Sequence, residues 1–89
     1  MRYRRNPHVR ATDVEGEFFL VEPQSGQIYY LDRVTSGLWR LLAEPMDRQE
    51  LIETYREAFP QQPAEQVAAE VGAALEEMLS GKLVAPIDD

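Results

Sequence analysis

Apolar residues form two short dense runs early in the chain, Phe18-Phe19-Leu20-Val21 and Ile28-Tyr29-Tyr30-Leu31, and spaced sets after them. Aromatic and β-branched residues suit a pleated, half-buried surface, so both runs predict strands. Pro23 and Gly26 lie between them and predict a short hairpin loop. Residues 8–14, with Val9 and Ala11, predict a weaker edge strand, joined to the first run by a turn at Glu15-Gly16-Glu17. With a period of two, Phe18 and Leu20 oppose Phe19 and Val21, and Ile28 and Tyr30 oppose Tyr29 and Leu31. Both faces of the sheet are therefore apolar. Either helices cover both faces, or part of the sheet is left for another chain. An edge strand also presents unpaired N–H and C=O groups with which a second chain can pair.

From Asp32 onward the period changes to that of a helix. Asp32 is an N-cap, and Val34, Leu38, Leu41 and Leu42 follow on one face with Trp39 at its flank. This helix is expected to end near Glu44-Pro45. Asp47 and Glu50 have capping-box spacing, and Leu51, Ile52, Tyr55 and Phe59 give a second helix its apolar side. A third helix is expected from Pro63 to Ser80, with Pro63 at its first position and Gly81 in left-handed geometry just past its end. Leu83, Val84 and Ile87 form an apolar tail that packs back on the body. The third helix aligns Val67, Val71, Ala74 and Met78, with Leu75 beside them and Ala68, Gly72 and Leu79 on one flank. A glycine inside a helix costs roughly 1 kcal/mol relative to alanine, so Gly72 needs a reason. That reason is either close packing within the fold or a shallow groove approached by another chain's backbone. The expected class is α+β: a three-stranded antiparallel sheet followed by three helices, in the manner of a winged helix-turn-helix.

Composition narrows the chemistry. The chain has 89 residues, 44% of them apolar and 28% charged, enough for one domain. We divide it into a basic N-terminal segment, residues 1–7, free to be disordered or to touch an acidic partner, and a single domain over residues 8–87. No apolar stretch approaches the ~20 residues of a membrane span, and the start has no signal-peptide pattern. The expected setting is the cytoplasm, with no membrane partner. There is no cysteine and one histidine, His8, so neither a zinc site nor a cysteine nucleophile is expected. The glycines are isolated and form no phosphate loop. The acidic pairs Glu76-Glu77 and Asp88-Asp89 read as solvated charges. No assembled catalytic group is visible, so the chain is read as a binding protein without catalytic residues, metal or cofactor. The net charge is −7, and residues 44–89 carry eleven acids against Arg48, Arg56 and Lys82. That balance opposes nucleic acid as a partner, because Lys and Arg neutralising phosphates supply most of such affinity.

Order and spacing of short motifs point further. Gly26, then Tyr29 or Tyr30, Leu31 and Asp32, then Leu38-Trp39 and Leu41-Leu42, resemble the PqqD-like family of RiPP recognition elements. The likeness continues through Tyr55-Arg56-Glu57-Ala58-Phe59, Pro63 to Val67, and Met78 to Val84, and so covers residues 8–84. Asp32 stands where the family often has Asn, and Val34-Thr35-Ser36-Gly37 departs from its usual next turn. Trp39 is similar to the lasso-peptide branch, in which the element is a separate small protein. The resemblance implies binding of the leader segment of a ribosomally made precursor peptide, which adds as a strand beside the third strand and against the third helix. The implied partners are that leader, a leader peptidase and a cyclase. Position on the expected elements, rather than a motif, supplies the peptide-binding residues: Gln27, Ile28, Tyr29, Tyr30, Leu31 and Asp32 on the strand side. On the helix side they are Ala68, Val71, Gly72, Leu75, Met78 and Leu79. Two alternatives are a PqqD-type peptide carrier for a radical SAM enzyme in quinone-cofactor synthesis and, in another class, a winged-helix DNA-binding protein.

Overall fold

The structure, a computed structural model, describes residues 1–87; the Asp88-Asp89 pair lies outside them. The order is β1 (Arg2–Arg5), β2 (Arg10–Val14), β3 (Glu17–Val21), β4 (Ile28–Tyr30), α1 (Arg33–Leu41), β5 (Met46–Asp47), α2 (Arg48–Ala58), α3 (Ala64–Ser80) and β6 (Val84–Ile87). Two antiparallel three-stranded sheets result, β2-β3-β4 and β5-β1-β6. The first is the expected sheet. Its β2–β3 turn has positive φ at both Glu15 and Gly16, as a two-residue hairpin with right-handed strand twist requires.

The second sheet corrects the sequence reading. Residues 1–7 are not a disordered tail: Arg2–Arg5 is the central strand between β5 and β6. Its alternation looks too polar for a strand, but Arg5 lies over the Trp39 ring at 4.6 Å and donates from Nε to the Trp39 carbonyl at 2.8 Å. A guanidinium stacked on an aromatic face keeps its charge while its stem covers apolar surface. Asn6 then holds the C-terminal tail, donating from its backbone N–H to the Leu83 carbonyl at 2.9 Å.

The helices bury the faces their periodicity indicates, except that Phe59, the C-cap of α2, is 43% exposed. Leu38, Leu42, Leu51, Val67, Val71, Leu75 and Met78 join Leu20, Leu31, Trp39, Leu83 and Val84 in one core. Asp32 caps α1 by accepting from the Thr35 N–H at 2.9 Å, and Asp47 and Glu50 form the reciprocal capping box of α2. Two details differ from expectation. Pro63 is the N-cap residue of α3 rather than its first helical residue. Gly81 has φ −80°, and the left-handed residue is Lys82. A Cβ at Gly81 would lie 3.0–3.1 Å from the Tyr29 side chain, close enough that the phenol would have to shift.

Candidate peptide-binding cleft

The hairpin bonds decide which backbone groups of β4 are free. The Glu22 N–H donates to the Gln27 carbonyl at 3.0 Å, and the Leu31 N–H to the Phe18 carbonyl at 2.8 Å. Bonded pairs alternate along an antiparallel ladder, so Glu22/Gln27, Leu20/Tyr29 and Phe18/Leu31 face inward across the hairpin. The N–H and C=O groups of Ile28 and Tyr30 therefore point away from β3. Among the described residues no other strand lies on that side.

Both ends of this edge are held in place. Glu22 is buried beneath the loop, where its carboxylate accepts from the N–H groups of Gln24 and Ser25. At the other end the fully buried Ser36 hydroxyl of α1 accepts from the Phe18 N–H at 3.1 Å and donates to the Leu31 carbonyl at 3.0 Å. It replaces the last ladder bond with a two-step bridge and locks α1 to the strand exit.

A cleft of about 580 Å³ lies between β4 and the C-terminal half of α3. Tyr29, Tyr30 and Leu31 line one side, Ala73, Glu76, Glu77 and Ser80 the other, and the buried Met78 and Leu83 its base. A second hollow, lined by Asp32, Thr35, Glu70, Ala73 and Glu77, shares Thr35, Ala73 and Glu77 with the cleft and continues the groove along α3. Glu76 is tied to Arg48 of α2 at 2.9 Å. Tyr30 donates its phenol proton to Glu17, and that hydrogen bond, above all, holds its pKa above the ordinary tyrosine value.

The structure brings Tyr29, Tyr30, Leu31 and Met78 of the sequence-predicted set to one cleft, with Asp32 at its continuation. Ile28 is on the edge beside them, and Gln27 accepts from the Tyr29 phenol at 2.5 Å. The rest of the helical set is placed elsewhere. Val71 and Leu75 are fully buried in the core. Gly72 faces α2, where a Cβ would meet Arg48 Nη1 at 3.7 Å, and Ala68 and Leu79 share its side of the helix on a 3.6-residue period. The small-residue flank therefore packs toward α2. The opposite flank, Ala73, Glu77 and Ser80, borders the cleft. Those three recur at i, i+4 and i+7, a stripe readable in the sequence. Only the tertiary arrangement decides which flank of the apolar arc meets β4.

Comparison with known proteins follows this geometry. Residues 17–84 match the family described as Coenzyme PQQ synthesis protein D (PqqD). No curated protein matches the chain. Among solved structures, TbiB1 in complex with the TbiA(beta) leader peptide aligns with a TM-score of 0.83 at 21% identity, covering 97% of this chain and 99% of that one. A lasso peptide synthetase B1 complexed with the leader peptide aligns with a TM-score of 0.75 at 13% identity, covering 94% of this chain and 98% of that one. Those likenesses establish a shared fold over nearly the whole length. The family match spans both the edge hairpin and the helix that faces it, and by it this chain belongs to the PqqD family.

Proposed function

We propose that the chain binds the leader segment of a ribosomally synthesised precursor peptide as a fourth strand on β4 and presents it to lasso-peptide maturation enzymes, a leader peptidase and a cyclase. The observation that carries this reading is the open edge of β4, whose Ile28 and Tyr30 backbone groups border an apolar-based cleft against α3. Strand addition draws affinity from main-chain bonds and sequence preference from pockets for alternate side chains. The two similar structures are themselves leader-peptide complexes, which supports the same occupant here. The contacts we assign are the backbone of Ile28 and Tyr30 and the side chains of Tyr29, Leu31, Ala73, Glu77, Met78 and Ser80. The role is delivery rather than catalysis, and its setting is the cytoplasm.

The family description favours one second reading, a peptide carrier in quinone-cofactor synthesis working with a radical SAM enzyme. The genes beside this one separate the two pathways. A DNA-binding role fits poorly, because α3, the would-be recognition helix, exposes Glu65, Glu70, Glu76 and Glu77 and carries no Lys or Arg.

Titration of the purified chain into the fluorescently labelled leader of the neighbouring precursor tests the proposal. Binding at or below about 1 μM is expected, near −8 kcal/mol. Ile28→Pro, which deletes one outward donor at an edge where proline is tolerated, should weaken it. Absence of binding to any neighbouring precursor's leader would reject the proposal.

A further inference from the structure

Charge is unevenly placed along the groove beside β4. Helix α3 runs opposite in direction to β4: Glu70 shares a hollow with Asp32 at one end, and Gly81 lies against the Tyr29 phenol at the other. At the first end Asp32, Glu70 and Glu77 are exposed, and among the described residues no Lys or Arg lines either hollow of the groove. Asp32 accepts from the Thr35 N–H and Glu70 from the Gln66 amide at 3.2 Å, bonds that leave both charges in place. Glu76 on the same rim is paired with Arg48. Arg33, next to Asp32 in the chain, lines instead the hollow between α1 and α2.

The other end is cationic. Directly after Gly81 comes Lys82, exposed, in a hollow that it shares with Asn6, His8, Pro23 and Gln24 by the β3–β4 loop. The acid in that hollow, Glu22, is buried and turned to the N–H groups of Gln24 and Ser25. Lys82 has φ 58°, and among the described residues only Glu15, in a hairpin turn, shares that region without being glycine. Glycine takes the left-handed position after a helix with less strain. Here the chain keeps a lysine, and backbone strain of this kind points to a use for the side chain.

A strand added to β4 pairs antiparallel, in keeping with the rest of the sheet and with the more stable pairing. Its upstream side then meets Asp32, Glu70 and Glu77, and its downstream side Gln27 and Lys82. Glu70 to Gly81 rises about 16 Å, the span of about five residues of extended chain. Both charged ends are thus within reach of one short peptide. They lie farther apart than the Debye length of ~10 Å at 0.1 M salt, so each peptide residue responds to the end beside it and not to net charge.

We propose that the groove selects its peptide by the order of charges: Lys or Arg just before the strand that pairs with β4, and Asp or Glu just after it. The inference rests on the peptide-binding reading above and adds the charge pattern of the occupant. Main-chain bonds and the apolar base of the cleft hold the strand, and the flanking charges steer it in one direction.

The test uses the full chain with two labelled synthetic peptides, the leader of the neighbouring precursor and the same leader with its flanking charges inverted and its strand residues unchanged. Stopped-flow fluorescence gives rates and affinities at low and high salt. The native leader should bind at least about tenfold more tightly at low salt, with the difference mainly in association rate. The gap should close in about 1 M salt, where the Debye length is ~3 Å. Asp32→Asn with Glu77→Gln should weaken native-leader binding at least about threefold, the scale of exposed ion pairs, while Asn keeps the α1 cap. Lys82→Gln removes the charge at unchanged backbone strain and should weaken it by about threefold. Lys82→Glu should weaken the native leader further and strengthen the inverted one. Equal binding of the two peptides at low salt overturns the proposal. So does Lys82→Glu weakening both peptides alike, which would make Lys82 a structural residue. Failure of the wild-type chain to bind either peptide would instead reject the underlying function.

Discussion

Gly37 and Tyr55 show how tightly the first two helices are fitted behind the cleft. The Tyr55 hydroxyl donates to the Val34 carbonyl in the first turn of α1, and a Cβ on Gly37 would collide with the Tyr55 hydroxyl oxygen. Glycine inside α1 is therefore a matter of space for a hydrogen bond, whereas Gly72 faces the end of the Arg48 side chain. Gly37→Ala should destabilise the fold by about 1–3 kcal/mol, as overpacking does. In a Tyr55→Phe background the cost should shrink, a coupling that urea denaturation of the two single variants and the double variant would reveal. Burial, followed by the nearby Asp32 charge, pushes the Tyr55 phenol up to about 12. The unfolded phenol titrates near 10, so the native state holds this proton more tightly. Its contribution to stability is present below pH about 10 and lost as pH rises to about 12. Tyr55→Phe should flatten the alkaline fall in stability across that window.

At the scale of elements, the hairpin, α1 and their caps were legible in the sequence because local signals agree: apolar runs, a Gly-containing turn, and Asp at both N-caps. Strands β1, β5 and β6 were not legible. They are two to four residues long, and they exist because distant segments pair. Arg2 meets both Asp47 and Ile87, and no local pattern announces that. The candidate site was half legible for a related reason. Periodicity identifies the apolar arc of α3 but not which flank turns toward β4, and the preference for small residues selected the flank that packs on α2. The correction is testable. Ala73→Trp, on an exposed position lining the cleft, should weaken leader binding at least about tenfold with the fold retained. Gly72→Leu should leave leader affinity within about threefold, since its side chain is directed at Arg48. Fluorescence titration of both variants, with circular dichroism as a fold control, checks the pair.

For the whole molecule, the two sheets divide the work. The β5-β1-β6 sheet joins the N-terminus to the C-terminal tail, and the Arg5–Trp39 contact ties it to α1. The β2-β3-β4 sheet is left with one free edge beside α3 and one open apolar face. Among the described residues no helix is long and apolar enough to cross a membrane, and no group of three or more His, Asp or Glu could hold a metal ion. The free edge, the cleft and the open face all meet at Ile28–Tyr30. Residue-resolved amide hydrogen exchange with and without the leader peptide tests that convergence most directly. The Ile28 and Tyr30 N–H groups should gain strong protection when leader is bound, while that of Tyr29, already bonded to β3, changes little. Bound leader that leaves Ile28 and Tyr30 exchanging as in the free chain would contradict strand addition at β4.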